Sequence, residues 1–125
     1  MGSLSRVVVV EELARRSHRL PPPPRVLWAD LVAPRREGAR VWLVLGDGET
    51  WPKTLESVED ERVVWSSLWQ DRPDDRIVLA IRPDGDGSLL ELTWLAASPL
   101  PGHASPYRYR LNQLLAQELR WSYGQ

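Results

Sequence analysis

The chain has 125 residues, sixteen of them basic and seventeen acidic, with a formal net charge of -1 at pH 7. This length fits one domain with a single hydrophobic core. The balanced charge disfavours nucleic acid as a partner, and the absence of cysteine excludes disulfides, thiolate metal sites and thiol nucleophiles. We therefore expect residues 1–125 to form one domain, with residues 1–12 partly flexible.

The N-terminal third predicts two extended segments and a short helix. Arg6–Val10 is a β-branched run that favours a strand. Its apolar part is only four residues long, which is too short for a signal peptide or a membrane span, so we expect a cytoplasmic protein. Leu13–Leu20 runs into four prolines and is predicted as an edge strand. After the prolines, apolar residues at helical spacing from Val26 to Val32 predict a short helix.

The middle of the chain predicts an antiparallel meander of strands joined by polar turns. In the predicted strand Ile77–Ile81, Ile77, Leu79 and Ile81 lie on one face, and Val78 and Ala80 lie on the other. Because both sets are apolar, we expect both faces of this strand to be partly covered. Glu91 alternates with leucines and should face solvent. The predicted strands are Val41–Leu45, Thr50–Val58, Val63–Trp69, Ile77–Ile81 and Leu90–Ala96.

The last segment, Pro106–Tyr123, predicts an amphipathic helix. Ser105 is a suitable N-cap, and proline is favoured at the first helical position. Trp121 and Tyr123 fall partly off the apolar stripe and are expected to be exposed to a partner. The stripe consists of Tyr107, Leu111, Leu114, Leu115 and Leu119, and the arginines at 108, 110 and 120 are predicted to form a solvated edge.

Four segments of the chain carry a family resemblance: Pro22–Leu31, Glu59–Trp65, Asp84–Thr93 and Leu111–Gly124. Their patterns resemble the START/Bet v 1-like (SRPBCC) helix-grip superfamily, which includes polyketide cyclase/dehydrase-like and Hsp90-ATPase-activator-like domains. The resemblance implies an α+β fold in which a curved antiparallel β-sheet of six to seven strands wraps around a long C-terminal α-helix, with a short helix after the first strand. It also implies a cavity between sheet and helix, which in many relatives admits lipids, sterols or polyketides.

The aromatic content is unusual, with seven Trp, three Tyr and no Phe. Trp65, Trp69 and Trp94 are predicted to face inward, where they either line a flat apolar pocket or fill the interior with their bulk. The sequence leaves both alternatives open, because tryptophan shows the same periodicity in either role. The candidate cavity-lining residues are Trp65, Trp69, Leu79, Leu92, Trp94, Leu111 and Leu115.

Sequence motifs of catalysis are absent: the chain has no glycine-rich phosphate loop, no HExxH and no Gly-x-Ser-x-Gly. We therefore assign no catalytic residue, no metal site and no cofactor. His18, on the polar edge strand, is interpreted as a surface histidine. His103 precedes the last helix and is the candidate for the mouth of a cavity, where an imidazole can act as a general acid or base.

Three functions are compatible with these residues. The first is binding of a small hydrophobic or aromatic ligand, lipid- or polyketide-like, in a cavity between the sheet and the C-terminal helix. The second is a polyketide cyclase/aromatase-like enzyme in which one His or Tyr moves protons. The third is an Hsp90-activator-like or other protein-interaction module, or a homodimerising domain, without a small ligand. A non-enzymatic ligand-binding domain is the first expectation.

Overall fold

Five strands form one antiparallel sheet in the computed structural model, which describes residues 11–34, 42–97 and 105–124. The order across the sheet is β1-β5-β4-β3-β2, so β1 and β2 are its two edges. The edge position predicted for Leu13–Leu20 is confirmed. The strands are β1 (Glu11–Leu20), β2 (Thr54–Val58), β3 (Arg62–Ser66), β4 (Arg76–Asp84) and β5 (Gly87–Ala96).

The short helix predicted after the prolines is present as α1 (Pro24–Val32). Proline suits its first turn because the missing N–H would have no intrahelical partner there, and the amides of Val26 and Leu27 bond to the carbonyl of Pro23 at 3.1 Å. Leu27 and Leu31, one helical turn apart, are fully buried. These two leucines hold α1 against the sheet.

The C-terminal helix consists of three consecutive segments: α2 (Ser105–Gln113), a π-helical stretch (Leu114–Leu119) and α3 (Arg120–Ser122). The sequence pattern predicted one regular α-helix over Pro106–Tyr123, and the π-helical stretch departs from it. Each π-helical hydrogen bond encloses one more residue than an α-helical one. This keeps Leu111, Leu115 and Leu119, spaced by four residues, buried along one side.

Six to seven strands were predicted, and the described residues form five. Arg6–Val10 lies outside the described residues. Trp42–Leu45, the described part of another predicted strand, pairs with no strand among the described residues, and its Val44 carbonyl accepts a hydrogen bond from the Arg110 guanidinium at 2.6 Å. The prediction over Thr50–Val58 was too long, because Pro52 has no N–H to donate and the strand begins only at Thr54.

The register of β3, β4 and β5 separates the sheet into two faces. On the inner face Trp65 pairs with Ile77 and Ile77 with Trp94, and all three are buried. The next row, Val63, Leu79 and Leu92, is also inner, because side chains two residues apart share a face. The buried leucines of α1 and of the C-terminal helix pack against this inner face, where the core lies.

The alternate residues form the outer face. Val64 pairs with Val78 and Val78 with Thr93, one row away from the buried tryptophans. Glu91, predicted to face solvent, lies on this face and accepts a hydrogen bond from Arg15 at 2.9 Å. The outer face is thus a mixed apolar and charged surface rather than a purely polar one.

Near the prolines, the start of β5 lies very close to the backbone that follows β1. The β4–β5 hairpin turns at Gly85, whose φ of 59° favours glycine. Next to it, a Cβ added at Gly87 would lie 2.3 Å from the Leu20 carbonyl oxygen and 2.9 Å from that of Pro21. Only glycine therefore lets the start of β5 pass beneath the backbone that leads from β1 into α1.

Candidate functional site

The structure brings all seven candidate cavity-lining residues into one buried cluster between the inner face and the C-terminal helix. Their exposed fractions range from 0% at Trp94 and Leu111 to 5% at Trp69. The strands supply Trp65, Leu79, Leu92 and Trp94, the segment after β3 supplies Trp69, and the C-terminal helix supplies Leu111 and Leu115. The residues that were expected to meet a ligand therefore meet each other, and their lining of a cavity remains a prediction.

One half of this cluster is an aromatic group of Trp69, Trp94 and Tyr107. The ring centroids of Trp69 and Tyr107 are 4.9 Å apart in an edge-to-face arrangement, and those of Trp69 and Trp94 are 5.0 Å apart. The third pair, Trp94 and Tyr107, is separated by 5.5 Å. Such distances are typical of favourable aromatic contacts, each contributing about 0.5–1.5 kcal/mol beyond the buried area.

A buried ion pair lies directly against this aromatic group. Asp75, 2% exposed, accepts hydrogen bonds from Arg72 at 2.6 and 3.2 Å and from the Trp94 indole N–H at 2.8 Å. The Arg72 guanidinium carbon lies 6.0 Å from the Trp94 ring centroid. The sequence analysis placed Asp75 only in one of the polar turns between predicted strands, so this role of Asp75 was missed.

The second aromatic pair lies nearer to α1. Trp42 and Trp65 stack with centroids 6.0 Å apart and an interplanar angle of 22°. The Trp65 indole N–H donates to the Leu31 carbonyl at 2.8 Å, and that of Trp42 donates to the Asp30 carbonyl at 3.4 Å. These hydrogen bonds join the last turn of α1 to the tryptophans beneath it.

Tyr107 is the titratable group of the aromatic cluster. Its hydroxyl donates to Asp71 at 2.7 Å. This hydrogen bond to a carboxylate, together with partial burial, raises the pKa of Tyr107 above its usual value, because both favour the protonated phenol. Tyr107 therefore stays a neutral donor at physiological pH.

Arg110 fastens the C-terminal helix to the segment after Trp42. The sequence predicted a solvated arginine here, but the side chain is only 14% exposed and bonds to both Glu49 oxygens, at 2.8 and 3.0 Å, and to Glu118 at 2.5 Å. Burial alone would lower the pKa of Arg110, and the hydrogen bonds to the two glutamates outweigh it and raise the pKa. Arg108 is likewise engaged, donating to the Leu13 carbonyl at 2.9 Å.

The remaining polar candidates are dispersed. His18 is half-buried, with its Nε2 3.1 Å from the side-chain oxygen of Asn112, and His103 lies outside the described residues. Trp121 is 65% exposed as expected, but Tyr123 is half-buried and donates to Asp30 at 2.6 Å. Within residues 11–34, 42–97 and 105–124, no group of three or more His, Asp or Glu is arranged to hold a metal ion.

Four surface depressions lie away from the core cluster. Two open on the outer face of the sheet, and the largest of the four, about 640 Å³, lies beside the start of α1 between Pro23, Pro83 and Ile81. The last lies near Arg19 and Arg120. None of these depressions is lined by any of the seven candidate residues.

Comparison with known proteins identifies the fold. No protein-family description matches the chain, and no curated protein does. Among solved structures, the Aha1 dimer from Colwellia psychrerythraea superposes with a TM-score of 0.68 at 10% identity, over 92% of this chain and 96% of that one. Mll3558 from Rhizobium loti gives a TM-score of 0.56 at 18% identity, over 90% and 98%. CalU16 from Micromonospora echinospora gives 0.52 at 19% identity, over 92% and 83%.

These likenesses define the class of protein by its fold. The chain shares the α+β fold of these solved structures, in which an antiparallel sheet packs against a C-terminal helix. In the described residues, no helix has the length and apolar character that crossing a membrane requires.

Proposed function

We propose that this chain is a protein-interaction domain built on a helix-grip scaffold whose interior is filled by its own tryptophans. One observation carries the proposal: three of the four buried tryptophans of the core donate their indole N–H within the chain, Trp65 to Leu31, Trp42 to Asp30 and Trp94 to Asp75. A tryptophan that binds a ligand needs a free indole N–H or a free ring face. Here three indole N–H groups are bonded within the chain, and the ring of each buried tryptophan contacts another aromatic ring.

Two further features support an interaction role. Large apolar side chains are exposed on the surface, among them Tyr109 at 68% and Trp121 at 65%, on the same helix. Aromatic residues are enriched where proteins meet each other. A fold neighbour, the Aha1 of Colwellia psychrerythraea, has a structure described as a dimer, so the same scaffold supports protein association in that protein.

A ligand titration tests this function. The purified chain is titrated with fatty acids, sterols and aromatic polyketides while tryptophan fluorescence is followed, and we expect no saturable change. Leu92→Ala serves as the positive control, because it opens a cavity in the core that a benzene-sized probe can enter. A saturable response of the natural chain, abolished when Leu79→Trp fills the interior, would overturn the proposal.

Binding of a small hydrophobic ligand between the sheet and the C-terminal helix is the second candidate function. The observation in its favour is the π-helical stretch Leu114–Leu119, since such stretches recur at functional sites and this one contains the cavity candidate Leu115. In addition, one carboxylate oxygen of Glu118 is buried without a hydrogen-bond partner among the described residues. A polyketide cyclase/aromatase-like activity would further require His103 within hydrogen-bond reach of such a ligand.

A further inference from the structure

An ion pair inside the C-terminal helix shows how far this helix turns along its length. Arg110 donates from Nη1 to a carboxylate oxygen of Glu118 at 2.5 Å, eight residues later in the chain. An α-helix turns by about 100° per residue, so residues eight apart lie about 80° from each other around its axis. Residues three, four or seven apart share a side instead. The contact therefore indicates that these eight residues complete two turns, with about four residues in each.

The π-helical stretch Leu114–Leu119 accounts for this geometry. Each π-helical hydrogen bond spans five residues rather than four, so one π-helical turn takes up one residue more than an α-helical turn. Without that residue the spacing from Arg110 to Glu118 is seven, and two α-helical turns hold about 7.2 residues. The C-terminal helix thus contains one residue more than an α-helix with the same contacts.

The same single residue aligns the buried and the exposed sides of the helix. Leu111 and Leu119, also eight residues apart, are both fully buried. On the opposite side Tyr109 and Trp121 are 68% and 65% exposed, and they are twelve residues apart. Twelve residues of α-helix leave about 120° between two side chains, whereas eleven residues leave only about 20°. With one residue taken up by the π-helical turn, Tyr109 and Trp121 therefore lie along one exposed line.

The extra residue lies at Ala116. Leu115 before it and Leu119 after it are buried in the core, and Glu118 contacts Arg110. Ala116 itself is half-buried and has no polar group that could bond to a neighbour. The chain can therefore lose Ala116 and keep each of these contacts at an α-helical spacing.

We propose that one extra residue at Ala116, accommodated as a single π-helical turn, sets the rotational register of the C-terminal helix, turning its end by about 100° relative to a regular α-helix. This rotation brings Glu118 to Arg110 and Trp121 into line with Tyr109. The two exposed aromatic residues then lie on one side of the helix, where a single partner surface can contact both. The register is a property of the chain alone, so the inference goes beyond the proposed interaction function and does not depend on it.

Spin labels measure the register in a chain of natural length. Because the chain has no cysteine, labels attach only at introduced cysteines. One variant carries Tyr109→Cys with Trp121→Cys and the other Tyr109→Cys with Arg120→Cys, all at exposed positions. By electron paramagnetic resonance, we expect the label at position 121 to lie nearer to position 109, about 16 Å or three turns away, than the label at position 120 does. A regular α-helix reverses this order, because residues eleven apart then share a side.

Deletion of Ala116 tests whether this residue is extra. We expect the urea midpoint of unfolding to stay within about 0.5 M of the natural value, because the helix continues as a regular α-helix. Two matched changes should lower the midpoint by more than about 1 M or prevent folding: insertion of a second alanine after Ala116, and deletion of Ala29, a half-buried alanine of the regular helix α1. The insertion adds a residue that one π-helical turn does not absorb. The deletion in α1 turns the buried Asp30 and Leu31 by about 100°.

Each outcome decides the proposal. A label at position 120 that lies nearer to position 109 than the label at position 121 overturns it, and so does a deletion of Ala116 that is as harmful as the deletion of Ala29. Circular dichroism shows that the labelled variants are folded. None of these results bears on the filled interior, whereas a saturable ligand in the fluorescence titration would overturn the proposed function and leave the helix register standing.

Discussion

Asp75 shows how a single residue in a charged turn becomes part of the core. Its carboxylate accepts hydrogen bonds from the Arg72 guanidinium and from the Trp94 indole N–H. These hydrogen bonds offset the free-energy cost of burying the two charges of the Arg72–Asp75 pair. The neighbouring Asp74 has the same chemistry and is exposed. No local pattern distinguishes the two, because the choice depends on where Trp94, nineteen residues later, enters the core. Such a contact lies beyond prediction from local sequence.

Tyr107 gives a pH-dependent prediction. Because hydrogen bonding to Asp71 raises its pKa in the folded state, Tyr107 contributes stability below about pH 10, its unfolded pKa, and loses that contribution as the pH rises through the folded pKa. The natural chain should therefore exceed Tyr107→Phe in unfolding free energy at pH 8 by about 1 kcal/mol. Urea denaturation between pH 7 and pH 11 should show the difference shrinking above pH 10.

The exposed Tyr109 provides the matched control for this titration. Tyr109→Phe should leave the unfolding free energy within about 0.5 kcal/mol of the natural value across the same range. A difference between the natural chain and Tyr107→Phe that stays constant up to pH 11 would contradict the assigned hydrogen bond.

At the scale of the element, Arg110 is the residue that holds the C-terminal helix in place. Arg110→Met keeps the length of the side chain but leaves Glu49, whose side chain is 7% exposed, and Glu118 without their cation. We expect a loss of about 2–3 kcal/mol in unfolding free energy, below the cost of breaking a fully buried pair. Faster amide hydrogen exchange over α2 and the π-helical stretch should accompany it.

The control for this change lies on the same helix. Arg120→Met removes an exposed arginine with no ion pair among the described residues, and its effect should stay within about 0.5 kcal/mol. Equal effects of the two substitutions would show that Arg110 is a solvated arginine, as the sequence pattern alone indicated.

The elements themselves were predictable to different degrees. Alternation predicted β3, β4 and β5, and the prolines predicted the start of α1, because both signals are local. Trp42–Leu45 has the apolar pattern of a strand but pairs with no strand in the described part of the chain, and its Val44 carbonyl accepts from Arg110, sixty-six residues away. The sequence pattern did not indicate the π-helical stretch, because its leucines fit the apolar stripe of an α-helix equally well.

At the scale of the whole molecule, the order of elements identified the helix-grip scaffold, but it could not decide between a lined cavity and a filled core. Both alternatives place the same apolar residues on the inner face, and they differ in how closely rings such as Trp69, Trp94 and Tyr107 pack against each other. Contact between rings depends on side-chain volumes rather than on periodicity. The sequence therefore predicted residues that share one buried cluster, and their contact with a ligand stays a prediction.

A paired truncation on β5 measures how tightly the interior is packed. Leu92 is 1% exposed on the inner face, whereas Leu89 is half-buried on the outer face of the same strand. In a filled core Leu92→Ala leaves a void that neighbours cannot close, at a cost of about 3–5 kcal/mol, while Leu89→Ala should cost about 1 kcal/mol or less. Urea denaturation compares the unfolding free energies of the two variants with that of the natural chain. Similar costs for both substitutions would mean that Leu92 already adjoins empty space, which would return the ligand-binding alternative to first place.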